Sequence, residues 1–117
     1  MMKHENMMSL GFDPVDCDKR FAGMSDVFSL CLSKYFEQND IENLRRAYAG
    51  GNIAQASRYS HTLLGGSANL ALMPLTALYK EINHAFRTSP DAAGELIEKA
   101  AGLEQRFREA AKLDGVI

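Results

Sequence analysis

The stretch Asn52–Leu70, NIAQASRYSHTLLGGSANL, decides the fold. Ile53, Ala56, Ser60, Leu63, Ser67 and Leu70 recur in steps of three and four. That spacing lays small and apolar side chains along one stripe of a helix with 3.6 residues per turn. Asn52 supplies the side-chain acceptor an N-cap needs, and the helix is expected to end near Ala71-Leu72. His61 stands one residue off the stripe, so it is turned about 100° from the core direction and toward solvent. Its neighbours on the same face are Ser57, Arg58, Leu64 and Gly65, three and four residues away. Gly65-Gly66 in a helix interior costs about 1 kcal/mol per glycine relative to alanine. Gly65 leaves bare backbone beside the imidazole, and Gly66 lies toward Leu63 and Leu70, where it admits a neighbouring helix. The residues alone leave two readings open. One is an exposed imidazole with cleared space around it; the other is a pair of packing glycines beside an idle surface histidine.

Outward from this helix, every other segment also reads as helical. Asp13-Pro14 pairs an N-cap acceptor with a proline at the first helical position, and the short helix it opens ends near Ala22-Gly23. Ser25 offers the next cap. Val27, Phe28, Cys31, Leu32, Tyr35 and Phe36 follow at helical spacing, and Ile41, Leu44, Ala47 and Tyr48 continue it. One long helix is therefore expected, stopped by Gly50-Gly51. Pro74 starts another, with Leu75, Leu78, Tyr79, Ile82, Ala85 and Phe86 inward. Ser89-Pro90-Asp91 starts the last, whose inner face carries Leu96, Ile97, Leu103 and Phe107. No stretch alternates as a strand would. The expectation is an all-α protein: an antiparallel up-down-up-down four-helix bundle with a short extra N-terminal helix. Residues 1–12 read as a flexible tail and 13–117 as the bundle domain.

The bulk composition excludes several classes. The chain has 117 residues, 46% hydrophobic and 24% charged, with a net charge of -2. A nucleic-acid binder normally shows a basic excess. No apolar run approaches the length of a membrane span, and the N-terminus lacks the continuous apolar core of a signal peptide. Cys17 and Cys31 are too few for a disulfide framework. A cytoplasmic, reduced, monomeric protein is expected, with Cys31 read as a buried thiol on an apolar stripe.

The segment from Ser60 to Leu70 resembles the signature of histidine-phosphotransfer (HPt) domains, His-x-Leu-Lys-Gly followed by small residues and a Leu-Gly pair. His61, Leu63, Gly65, Ser67 and Leu70 match it position for position. Arg20-Phe21-Ala22-Gly23 and the Ala49-Gly50-Gly51-Asn52 turn are similar to flanking segments of the family, so the likeness runs from about residue 13 to 112. Two positions depart from it. Leu64 stands where the family has lysine, and Ala71 where it has glycine. The resemblance implies that His61 carries a phosphoryl group in a two-component phosphorelay. Its partners would be response-regulator receiver domains or a hybrid histidine kinase. The Mg²⁺ would belong to the partner receiver, with no cofactor in this chain. The docking face is expected from Ser57, Arg58, Leu64, Gly65 and Ala68, with Phe21 and Met24 as an apolar rim. Arg58, one turn before His61, is a candidate for the charge the absent lysine would bring, and Leu64 with Ala68 for an apolar docking patch.

No Gly-rich nucleotide loop followed by lysine is present. A carrier rather than an enzyme is expected, since phosphoryl transfer needs positioning and charge neutralisation more than covalent chemistry from the acceptor. An ordinary imidazole, mostly neutral at pH 7, is a competent nucleophile. Two other readings compete. Glu81-Ile82-Asn83-His84 has the Glu-x-x-His spacing of di-iron bundles, but such sites need two of these pairs and further glutamates, and a second pair is absent. The other is a degenerate HPt-fold adaptor that docks on a receiver or kinase without carrying phosphate, as the loss of the lysine at Leu64 suggests.

Overall fold

Asn39 interrupts what the periodicity predicts as one long helix. In the computed structural model, which describes residues 4–117, Asn39 adopts φ 52°, ψ 40° and separates α3 (Ser25–Gln38) from α4 (Asp40–Ala49). Asparagine tolerates this left-handed conformation better than most residues. The apolar spacing survives the break, because Phe28, Leu32 and Phe36 before it and Ile41, Leu44 and Ala47 after it are all buried. A single interrupted limb is thereby formed. Val27 and Cys31, expected on its inner face, are exposed instead. The buried thiol is Cys17, in α2 (Pro14–Phe21), where burial first, and then Asp18 and Asp16, push its pKa up to about 11.

The other three limbs are α5 (Ile53–Asn69), α6 (Met73–Thr88) and α7 (Ala93–Leu113), the last preceded by a 3₁₀ turn at Pro90–Ala92. They complete an all-α bundle 44 Å long and 22 × 21 Å across. Local chemistry sets the ends. The Asp13 carboxylate accepts hydrogen bonds from the Val15 and Asp16 amides at 3.1 Å. Asn52 Oδ1 accepts one from the Gln55 amide at 3.1 Å. Gly51, at φ 75°, makes the turn between α4 and α5. Ser25, expected as a cap, is the first helical residue of α3, and Met24 precedes it without a side-chain cap bond.

The turn between α5 and α6 is short and buried: Leu70, Ala71 and Leu72 are each at most 4% exposed. Ala71 takes φ 59°, the left-handed region where a Cβ costs roughly 1–2 kcal/mol. Its carbonyl accepts a hydrogen bond from the Asp13 amide at 3.1 Å.

Residues 4–12 are not a loose tail. Met7, in α1 (Glu5–Ser9), is fully buried, and Phe12, just after that helix, nearly so. Asp114, just past α7, clamps this helix: its carboxylate accepts from the Asn6 and Met7 amides at 3.0 Å and from Asn6 Nδ2 at 2.8 Å. Met1, Met2 and Lys3, which belong to the expected tail, lie outside the described residues.

One polar group is built into the core. Glu104 on α7 is 6% exposed. Its Oε2 accepts from the hydroxyls of Tyr35 on α3 and Tyr79 on α6, both at 2.7 Å. Burial raises the Glu104 carboxyl above the usual carboxylate range, against the opposing effect of the two tyrosine hydrogen bonds and of Arg108. The node links three limbs and fixes the ring of Tyr35.

Candidate functional site

The two glycines of α5 have different surroundings. A Cβ built on Gly66 would stand 3.0 Å from Cδ1 and Cε1 of Tyr35. Gly66 thus makes room for α3. A Cβ on Gly65 would meet nothing within 4 Å, and Gly65 is exposed. Helix packing explains the second glycine and leaves the first without a structural reason.

His61 is exposed on α5. Its imidazole takes part in none of the hydrogen bonds or ion pairs formed among the described residues. Ser60, beside it, is fully buried, as the stripe requires. The register between α5 and α6 is set by the buried contact of Ser67 Oγ with Thr76 Oγ1 at 2.9 Å. In an antiparallel pair each step back along α5 matches a step forward along α6. His61, six residues before Ser67, therefore stands level with Ile82. Ile82 is buried, and the α6 residues flanking its level, Lys80 and Asn83, come to the surface beside His61.

The result is a groove of about 460 Å³ between the two helices. Helix α5 lines it with Ser57, Arg58, His61 and Leu64, and α6 with Lys80, Asn83 and Arg87. Three of the lining side chains are cationic and none is a carboxylate. Arg58, Lys80 and Arg87 enter none of the ion pairs formed among the described residues. An open imidazole beside three uncommitted cations is suited to an anionic electrophile.

Of the docking residues expected from the sequence, Ser57, Arg58 and Leu64 share the groove with His61. Gly65 is exposed beside it, one turn along α5. Ala68 is half-buried and does not line the groove. Phe21 and Met24 line a different cleft, with His4, Cys17 and Phe28. Phe21 stacks edge-on against Phe28 with ring centroids 5.3 Å apart. Lys80, Asn83 and Arg87 were not evident from the sequence. They recur at i, i+3 and i+7, a polar stripe adjoining the buried face of α6, but only the α5–α6 register brings that stripe to His61. Glu81 and His84, the Glu-x-x-His pair, are both exposed, and no cluster of three or more metal-ligating side chains occurs among the described residues. Among those residues no helix is long and apolar enough to cross a membrane.

Compared with known families, the chain matches the model described as Hpt domain over residues 37–114, from the end of α3 through α7 and including all of α5 and α6. No curated protein and no solved structure matches the chain.

Proposed function

Since the chain belongs to the Hpt domain family, we propose that His61 accepts a phosphoryl group from the phospho-aspartate of a receiver domain and passes it to a second receiver. The observation that carries the reading is the exposed, unengaged imidazole in a groove lined by Arg58, Lys80 and Arg87.

In the forward step a lone pair on one imidazole nitrogen forms the N–P bond while the P–O bond to the aspartate breaks. The aspartate leaves as a carboxylate. The second ring nitrogen bears the proton during attack and releases it to solvent afterwards. Asn83, near the level of His61 in the groove, has both a donor and an acceptor with which to orient that nitrogen. The cations neutralise charge on the transferring oxygens, which is most of what an acceptor must do in this chemistry. A receiver would bring the Mg²⁺ for its own acyl phosphate, so the carrier needs no cofactor. Such partners place the protein in the cytoplasm. Contacts of this kind must be transient, which suits a small docking face around Gly65 and Leu64.

The test is transfer from a receiver carrying a radiolabelled aspartyl phosphate. The wild type should gain an acid-labile, base-stable label that chases onto a second receiver, and His61→Gln should gain none. A tight receiver complex that never acquires label would favour the adaptor reading, to which Leu64 in place of the family lysine points.

A further inference from the structure

Leu64 removes the positive charge that the family carries one turn beyond its histidine, and the groove contains three candidates to replace it. Their heights along the bundle separate them. Lys80 lies four residues after Thr76 and is level with Leu63, four before Ser67. It is therefore displaced about 3 Å from His61 along the axis, in the direction of Leu64. Arg58 precedes His61 by three residues, about 4.5 Å the other way. Arg87, by the same register, is level with Ala56, about 7.5 Å away in that direction as well. Lys80 alone approaches from the side where the missing ammonium would stand. It is exposed and enters no ion pair formed among the described residues. It lines the same groove as His61 and Leu64.

We propose that Lys80, supplied from α6, contacts the phosphoryl group on His61 and takes over the charge lost at position 64. The inference rests on the carrier reading above and names a residue for that same site. A lysine ammonium acts as a mobile point charge with three donors and needs no fixed bidentate geometry. It can serve from the facing helix as well as from α5, provided it reaches the same oxygens. Leu64 then becomes intelligible as the wall along which the aliphatic part of Lys80 lies.

The experiment measures transfer from a phosphorylated receiver to wild type, His61→Gln, Lys80→Ala, Leu64→Lys and the double variant Leu64→Lys/Lys80→Ala. Lys80→Ala should slow transfer by about tenfold, as the loss of one hydrogen bond to a charged group does. Leu64→Lys should restore the rate in the double variant. Equal rates for wild type and Lys80→Ala, or a double variant as slow as Lys80→Ala, would overturn the role of Lys80 and leave His61 as carrier untouched. A wild type that acquires no label, or a His61→Gln variant that does, would overturn the carrier reading itself and the inference with it. Circular dichroism of each variant separates slow transfer from unfolding, and Lys80 is exposed, so its removal should leave the melting temperature nearly unchanged.

Discussion

Replacing each of the adjacent glycines of α5 by alanine should move stability in opposite directions. Alanine is favoured over glycine in a helix interior by about 0.8–1.0 kcal/mol. At Gly65 the new methyl meets nothing within 4 Å, so the full propensity gain should appear, as a rise in melting temperature of about 4 °C for a chain of this size. At Gly66 the methyl would stand 3.0 Å from two ring carbons of Tyr35. That ring cannot easily swing away, since its hydroxyl is bonded to the buried Glu104 at 2.7 Å and it also meets the Phe36 ring with centroids 5.5 Å apart. Overpacking of this kind costs typically 1–3 kcal/mol. Offset by the propensity gain, the net loss should be about 1 kcal/mol, leaving the two variants about 2 kcal/mol apart. Urea unfolding followed by circular dichroism reads the difference. Phosphoryl transfer should fall in Gly65→Ala, the more stable variant, because its methyl occupies the docking space beside His61. A Gly65→Ala variant that is no more stable than wild type would refute the statement that nothing packs there. One that is more stable and transfers at full rate would refute the idea that the open backbone serves a partner.

Asp114→Ala should release α1 at a cost of about 1 kcal/mol, the size of a lost N-cap. Amide exchange at Met7, whose N–H the carboxylate accepts at 3.0 Å, should accelerate while exchange in α5 stays protected; unchanged protection at Met7 would contradict the clamp. Glu104→Gln should flatten the pH dependence of stability. The folded carboxyl titrates above its ordinary value, so its contribution is greatest below the unfolded pKa and is lost as pH rises through the raised one. Relative to Glu104→Gln, the wild type should therefore weaken from mildly acidic pH toward neutrality; a parallel pair of stability curves would show that Glu104 does not titrate differently in the fold.

The sequence disclosed those features that depend on local spacing. The stripe of Ala56, Ser60, Leu63 and Ser67 predicts the inner face of α5, and all four are buried. That face in turn places His61 outside. Asp13-Pro14, Asn52 and Pro74 each mark a helix start because a cap or a fixed φ acts within a few residues. What escaped depends on groups distant in the chain or on single backbone angles. Asn39 breaks a helix whose hydrophobic spacing continues across the break, so periodicity is blind to it. Met7 and Phe12 carry no pattern of their own; Met7 is held through Asp114, more than a hundred residues away, and Phe12 through ring contacts with His4 and Phe28. Cys31 fits the α3 stripe by number, yet it sits on the outer side with Val27 and Leu30. Lys80, Asn83 and Arg87 join the site only through the register fixed by Ser67 and Thr76 across the tight Leu70–Leu72 turn. That turn could have supplied the register: two helices joined so closely must be antiparallel neighbours, and the polar stripe at 80, 83 and 87 then falls opposite 57, 61 and 64.

The most direct test is to place the phosphoryl group on a residue. The protein, incubated with a phosphorylated receiver and digested at neutral or alkaline pH with trypsin, should yield the peptide from Tyr59 to Lys80 heavier by one phosphoryl group, with fragmentation locating it on His61. Modification on Thr62, Ser67 or any residue other than His61, or an unmodified peptide from protein that binds the receiver, would contradict the account.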